Sequence, residues 1–500
     1  MALSVVLDCA GQSFQPLYVD EPDLSGRDYS NVMDDLAVEL ESLFGAQLGV
    51  DHLLDVSRDL KDQYLDRLQS SNISMLPSYQ HTLPTGREVG DYLALDVGGS
   101  TLRIAIIRLG GRKNGTDGLQ VRRIRSFSIN NTIRHLRGRA FFDWMADKIG
   151  EMLMEYNYIR GITDGHLSMG LAWSFPVEQT SPRSGRLLAM GKGFCATDGV
   201  LGEDLGELLM TSCRERGLNV TLGAIVNDGA ATLLAQAYRD ASTRMSLILG
   251  TGTNAAVFLP VSALGISKFG DRPDSWHASA EHVLVNTEMS MFGKGVLPVT
   301  RWDDELNANH TLPDFQPLEY LTTGRYLGEI VRLILFEAVD TAGLFGGRKP
   351  PKLVEPYTLD TQVLSAIECD ASVALKSASK ALVRASGLPA APHLLEMQFV
   401  QQVCKLVSRR ATRYLAAALH ALWALRTEAE GLQPGQSSDV TIACHGTVVE
   451  KYPGFRAGCQ WHLDELCVRS GAVAGAVTLA VAPDSSIFGA AVAVCCTDAP

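Results

Sequence analysis

Apolar residues recur at three-to-four spacing along Asp28–Phe44, along Arg325–Val339, and along Phe141–Tyr156, where Phe142, Met145, Ile149, Met152 and Tyr156 share a face. That spacing predicts helices with one buried side. Short β-branched or leucine-rich runs at Tyr92–Asp96, Ile104–Leu109, Gly223–Val226, Ser246–Leu249 and Val440–Ala443 read as strands. Strands alternating with helices predict an α/β chain. Lys268–Ala280, Gly343–Glu355 and Glu428–Ser438, each rich in Gly, Pro or charge, read as surface loops.

Two stretches repeat one pattern: Leu93-Ala-Leu-Asp-Val-Gly-Gly-Ser-Thr-Leu-Arg-Ile-Ala and Leu247-Ile-Leu-Gly-Thr-Gly-Thr-Asn-Ala-Ala-Val. Each apolar strand ends at a glycine turn and a second apolar strand follows at once, which predicts two hairpins. Glycine lets backbone N–H groups approach an anion, so two such turns could grip a polyphosphate from both sides without a lysine. Either turn alone reads first as an ordinary hairpin. The second also fits G-x-G-x-x-A, but that fingerprint must open a helix, whereas Ala255-Ala-Val-Phe-Leu-Pro reads as a strand. No GxxxxGK[ST] segment occurs, which argues against a P-loop nucleotidase.

At 500 residues the chain exceeds what a single core organises, so two lobes with a ligand cleft between them are expected. A content of 46% apolar and 20% charged residues fits a folded protein. The net charge of −12 argues against a general nucleic-acid or anionic-membrane surface, so any phosphate must be held by local chemistry. Ten cysteines without a C-x-x-C pair, and His277 and His282 without H-E-x-x-H spacing, argue against zinc and for reduced thiols. The vicinal Cys495-Cys496 reads as part of a packed terminal segment. The first residues lack the basic start and apolar run of a secretory signal, and no apolar stretch approaches the about 20 residues of a membrane helix.

Candidate chemistry centres on Asp228, in Ala224-Ile-Val-Asn-Asp-Gly, just past a predicted strand. A carboxylate so placed can take the proton of an attacking hydroxyl during phosphoryl transfer; an Asn-Asp-Gly turn with no function is the plainer alternative. Ser174, Lys192, Glu288 and Glu319 are further polar candidates. A sugar needs several carboxylate, amide and hydroxyl partners, because a missing pairing is costly.

From about Met75 to Ala491 the chain resembles the hexokinase family. The matching segments include Pro84-Thr-Gly-Arg-Glu, Trp173-Ser-Phe-Pro, Gly191-Lys-Gly-Phe, Val226-Asn-Asp-Gly, Leu249-Gly-Thr-Gly-Thr-Asn, Asn286-Thr-Glu and Gly324-Arg-Tyr-Leu-Gly-Glu. The resemblance implies a two-lobed, actin-like ATPase fold of α/β class. It implies an N-terminal helical segment over 1–90 packed on the large lobe, a small lobe over 91–226, and a large lobe over 227–500 whose last residues return toward the small one. It further implies Asp228 as catalytic base and Lys192 as a charge stabiliser, with Ser174, Asn227, Asn254, Glu288 and Glu319 on sugar hydroxyls. ATP would be held by Gly98, Gly99, Ser100, Thr101 and Arg103, by Gly250, Thr251, Gly252 and Thr253, and by Gly446 and Thr447. Asp96 would act on Mg²⁺ through water. The implied partners are a hexose or amino sugar, with no nucleic acid or membrane, in a cytoplasmic monomer or weak homodimer with room for a nuclear fraction.

The departures are specific. Gly191 stands where most of the family has threonine; Glu288-Met-Ser-Met-Phe-Gly replaces Glu-Trp-Gly-Ala-Phe-Gly; Pro313-Asp-Phe-Gln-Pro replaces Pro-Gly-Gln-Gln. These resemble the fungal N-acetylglucosamine kinases, and loss of the family's threonine at Gly191 and of its tryptophan at Met289 is expected to loosen the sugar pocket. His445 replaces an aspartate before Gly446, and Ile487 replaces a glycine where it is expected to narrow the adenosine site. Three readings stay open: a kinase for N-acetylglucosamine, a glucose or mannose hexokinase, and a catalytically weak sugar-sensing regulator.

Overall fold

The computed structural model describes residues 29–46, 48–112, 118–160, 165–190, 194–196, 198–436 and 439–497. The described strands, in chain order, are β1 (Leu76–Pro77), β2 (Val89–Val97), β3 (Thr101–Gly110), β4 (Leu119–Ser128), β5 (Leu167–Trp173), β6 (Val177–Ser181), β7 (Ser184–Leu187), β8 (Val220–Val226), β9 (Thr243–Leu249), β10 (Thr253–Pro260), β11 (His282–Asn286), β12 (Val440–His445) and β13 (Val477–Val481). They form a five-stranded sheet in the order β4-β3-β2-β5-β8, a six-stranded sheet in the order β1-β11-β10-β9-β12-β13, and the small β6-β7 hairpin.

One topology is used twice. In each large sheet an antiparallel meander of three strands, β2-β3-β4 or β9-β10-β11, is extended by two parallel strands, β5 and β8 or β12 and β13. Both glycine hairpins are therefore the first turn of a meander, and every predicted strand is present with longer ends. Parallel strands gather their C-terminal ends at one edge, where open α/β sheets bind ligands. Here those edges carry the candidate chemistry.

Two helices of small residues lie between the sheets: Asp228–Arg239, directly after β8, and Ser485–Thr497, after β13. Their contact is so close that a Cβ on Gly489 would stand 1.9 Å from the Ala231 carbonyl, and one on Gly170 of β5 would stand 1.9 Å from that of Ala490. Glycine is required there for space. Cys496 is buried in this terminal helix, in keeping with a packed end to the chain. Ile487 is fully buried in the same inter-sheet core, packed with Ala and Val side chains. This corrects the expectation that it narrows the adenosine site: a side chain inside the helix contact takes no space from a cleft.

The helix predicted over Phe141–Tyr156 spans Ala140–Arg160, and that over Arg325–Val339 spans Gly324–Ala342, ending at Gly343 in the left-handed region. The first pattern, Asp28–Phe44, gives the helix Tyr29–Glu41 and a π turn Ser42–Ala46. Two predicted loops are more ordered than expected. Lys268–Ala280 contains the helix Asp274–Ser279, pinned by buried Trp276, and Gly343–Glu355 buries Leu344 and Leu353. Glycine and proline there mark short helical turns whose few apolar side chains still reach the core. The longest helix, Leu394–Ala429, escaped the periodicity reading because from Arg410 to Thr427 it is buried nearly all round, and it lies against the six-stranded sheet and the helix Val50–Ser70. Within it, Arg410 is wholly buried, yet both terminal nitrogens donate to Asp303, at 2.6 and 2.7 Å. Among the described residues no helix is long and apolar enough to cross a membrane.

Candidate active site

The chain leaves β8 at Val226, and Asn227 caps the next helix, its Oδ1 accepting the Ala230 N–H at 2.7 Å. This cap sets Asp228 on the first helical turn, where its Oδ1 accepts the Gly229 N–H at 2.8 Å and the carboxylate is half-buried at the sheet edge. A carboxylate there is stabilised by the positive end of the helix dipole. Ser174 sits one strand away, at the end of β5, its N–H donating to Val97 O at 3.2 Å. Val97 ends β2 and precedes the first glycine turn, so Ser174, Asp228 and that turn share one edge.

The six-stranded sheet brings up the acceptors. Asn254 on β10 donates from Nδ2 to Asn286 Oδ1 at 2.8 Å, and Asn286 at the end of β11 donates to Glu288 Oε1 at 2.7 Å. Glu288 itself is held in the left-handed backbone region (φ 52°), a strained conformation for a non-glycine residue that aims its side chain back along this chain of amides. Burial pushes the Glu288 carboxyl above its ordinary range; the Asn286 bond opposes that, and the nearby Asp228 charge adds to it. Two acidic groups that follow strands of different sheets thus feel one another. Asn286 was quoted in the motif without a role. Its position at a strand end, between two candidates, was the available signal.

Glu319, on the helix Pro317–Thr322, accepts the Thr253 N–H at 3.1 Å. A Cβ on Gly252 would lie 2.7 Å from Glu319 Oε2, so glycine clears the space for that carboxylate. Burial raises the Glu319 pKa, the Thr253 N–H lowers it, Glu288 raises it and Arg325 lowers it.

The turn Gly250–Thr253 is closed by Gly250 N–H donating to Gly252 O at 2.9 Å, while Gly324 N–H donates to Gly250 O at 2.9 Å and Thr323 Oγ1 to Thr251 O at 3.0 Å. Gly446, at φ 124°, lets the chain after β12 pass close by: a Cβ there would stand 2.3 Å from Leu249 O, and the Thr447 N–H and hydroxyl lie beside Gly250. His445 Nδ1 lies 2.8 Å from Glu450 Oε1 without hydrogen-bond alignment, while the same oxygen accepts the Gly446 N–H at 2.9 Å.

The first turn, Gly98–Thr101, is closed by Gly98 N–H donating to Thr101 O at 3.1 Å. The Gly99 carbonyl accepts Arg134 Nη2 at 3.0 Å, a support the sequence reading missed because Arg134 lies outside every quoted motif. Asp96, just before the turn, accepts both Nε (2.8 Å) and Nη2 (2.6 Å) of Arg103, whose Nη1 donates to Asp484 at 3.1 Å. Asp484 follows β13, so this guanidinium ties the meander of one sheet to the edge of the other. Among the described residues no three His, Cys, Asp or Glu side chains gather as a metal cluster. One oriented carboxylate beside a phosphate-sized turn does fit Mg²⁺, which keeps most of its waters and takes few protein ligands.

The structure therefore gathers Ser174, Asn227, Asp228, Asn254, Glu288 and Glu319 with both turns, Asp96, Arg103, Gly446 and Thr447 at the facing strand ends. Lys192 and Gly191 lie outside the described residues. Met289 is fully buried in the large core, which corrects the expectation that its exchange for tryptophan loosens the sugar pocket. Its neighbour Ser290 instead accepts Gln316 Nε2 at 3.3 Å, a bond joining the Glu288 loop to the entrance of the Glu319 helix.

Comparison with known proteins bears on the family and the fold. Family models described as hexokinase match residues 41–238 and 244–496. Hexokinase-1 of Oryza sativa subsp. japonica is 34% identical over 427 residues, covering 84% of this chain and 82% of its own length. Hexokinase-1 of Spinacia oleracea is 31% identical, with the same two coverages of 84% and 82%. A solved hexokinase from Schistosoma mansoni, complexed with glucose, superposes with a TM-score of 0.75 at 28% identity, over 92% of this chain and 99% of that one.

Proposed function

The chain belongs to the hexokinase family of sugar kinases, and from that premise we propose that it moves the γ-phosphoryl group of MgATP onto the 6-hydroxyl of a hexose, with Asp228 as the base. The observation that carries this is that the Asp228 turn is seated on the six-stranded sheet that bears the acceptors, Ser246 Oγ of β9 donating to Gly229 O at 2.7 Å, so that the Asp228 charge reaches Glu288. A base beside a set of hydroxyl acceptors is what a sugar acceptor requires.

In the proposed reaction the hydroxyl proton passes to the Asp228 carboxylate as the sugar oxygen forms its bond to the γ-phosphorus. The bond from that phosphorus to the bridging oxygen breaks, and its electrons leave with ADP. Glu288, Glu319 and Asn254 would orient the sugar, since carboxylates and amide oxygens accept from hydroxyls and exposed amide N–H groups donate to them. The backbone N–H groups of the two turns, with Arg103 and the Thr447 hydroxyl, would meet the phosphates. Mg²⁺ held against Asp96 through water would neutralise phosphate charge. Lys192 is proposed beside the acceptor oxygen.

The narrower proposal is that the hexose is N-acetylglucosamine. It is supported by the departures at Gly191 and across Ser290 and Gln316, where a side-chain bond joins the loops carrying the two sugar glutamates. An acetamido group needs more room than a hydroxyl and offers a carbonyl acceptor. Glucose is the competing acceptor, and it is the ligand of the Schistosoma mansoni structure. A coupled assay with purified protein and MgATP tests both levels: the expected result is a higher kcat/KM for N-acetylglucosamine than for glucose. A preference for glucose removes the narrower proposal and leaves the kinase; sugar binding without turnover removes the kinase.

A further inference from the structure

A second cavity, of about 410 Å³, lies at the opposite end of the six-stranded sheet from the candidate active site. Arg244 stands near the start of β9 and His282 at the start of β11, whereas the second glycine turn and Glu288 follow the other ends of those strands. Six residues of strand from Arg244 to Gly250 correspond to about 20 Å. The remaining polar walls are Arg426, near the end of the longest helix, and Glu430, which caps it; Phe258, with Leu83 and Leu432, supplies an apolar side.

The charges in this cavity do not balance. Arg426 donates Nη2 to Glu430 Oε1 at 2.8 Å, and its Nε is buried without a partner. Arg244 donates Nη1 to two backbone carbonyls, Ala241 O at 2.6 Å and Thr243 O at 2.8 Å, which supply no charge. Glu430 also faces His282 Nε2, at 3.2 Å from each of its oxygens. The next acid, Asp240, is occupied by the Ser242 and Thr441 hydroxyls, and it feels Arg112 as well as Arg244. Of the groups that line the cavity, two guanidiniums, Arg244 and Arg426, thus face one carboxylate, Glu430, with the His282 ring beside them. The His282 ring stacks on Phe258 at 5.2 Å and 11°, giving the cavity a flat wall beside the arginines.

Burying guanidinium groups is costly unless a counter-charge or hydrogen-bond partner accompanies them. From the surplus positive charge, the orphaned Arg426 Nε and the adjoining aromatic wall, we propose that this cavity is a binding site for a small phosphate monoester. The phosphate would take the free donors of Arg244 and Arg426, a geometry guanidinium forks favour. The ester group would lie against Phe258 and His282. The volume suits a ligand of that size.

Isothermal titration calorimetry with phenyl phosphate tests this, using full-length protein saturated with sugar and MgADP so that the nucleotide turns are filled. One saturable site is expected, weakened about tenfold or more in Arg244→Gln, where a charged donor is lost. Glu430→Gln, which removes the carboxylate competing for Arg426, is expected to tighten binding. Neither residue belongs to the candidate active site, so kcat without added anion should match the wild type in both variants. The opposite signs separate a binding role from a structural one, which would weaken both. Absence of a saturable site, or equal affinity in all three proteins, overturns the proposal. Should Arg244→Gln fail to fold, the Glu430→Gln result alone decides: an affinity unchanged or reduced overturns it.

Discussion

The two large sheets share a five-strand arrangement, to which one adds β1, and each carries a glycine turn between the first two strands of its meander, yet their charges are handled in opposite ways. In the five-stranded sheet the carboxylate before the turn, Asp96, is neutralised by Arg103, and that arginine goes on to grip Asp484 of the other lobe. Glycine at position 98 is spatially undemanding, since the nearest atom to an added Cβ is Thr101 O at 3.7 Å. In the six-stranded sheet Glu288 and Glu319 form no ion pair among the described residues, and burial raises both pKa values. There an added Cβ would press on the Glu319 carboxylate, for which Gly252 makes room. A duplicated frame has thus been given two electrostatic characters: one edge holds its acid in a salt bridge, and the other stores hydrogen-bonding capacity that a ligand rich in hydroxyls would satisfy.

That contrast can be broken experimentally. Asp228→Asn keeps the Asn227 cap and the side-chain volume but removes the proposed base, so kcat should fall by about 10²–10⁴-fold in a coupled assay while circular dichroism stays unchanged. Gly252→Ala should displace Glu319 from the Thr253 N–H and cost about 10²-fold in kcat/KM. The matched change Gly98→Ala, in the other turn, should stay within about twofold of wild type. Equal damage from the two glycine variants would erase the distinction drawn between the turns. Glu319→Gln should raise the sugar KM by about 10–100-fold, because a charged acceptor is lost, with a smaller effect on the KM for MgATP.

The smallest effect concerns pH. Glu288 and Glu319 have carboxyl pKa values raised by burial, so the folded state holds their protons more tightly than the unfolded chain does. Their contribution to stability is fully present below the ordinary carboxylate range and is lost as pH rises through the raised values. Hydroxyl donors from a bound sugar favour the ionised form. The increase in Tm on adding sugar should therefore grow as pH rises from acidic to neutral, and Glu288→Gln should flatten that trend in differential scanning fluorimetry.

Much of the fold was legible because its signals are local. The hairpins at Gly98 and Gly250 follow from apolar runs broken by glycine, and the helix over Phe141–Tyr156 from a single apolar face. The helix Leu394–Ala429 was not legible, since a segment buried on nearly every side loses the periodicity that marks an amphipathic helix. The site was read largely through family motifs, and residue types alone could not separate roles. Met289 and Ile487 looked like pocket changes and are core side chains. Arg134 and Asn286 looked unremarkable, yet one holds the first turn and the other links Asn254 to Glu288.

By itself the sequence determined the alternation of strands and helices, the two glycine turns and the presence of an acid after β8, because each depends on neighbours along the chain. Only the tertiary structure decided which acids are neutralised. Asp96 meets its arginine across a hairpin, Asp484 meets the same arginine from nearly four hundred residues away, and Glu288 and Glu319 form no ion pair among the described residues. Electrostatic character depends on distance and burial, and those quantities exist only once the two sheets have closed on their shared pair of helices.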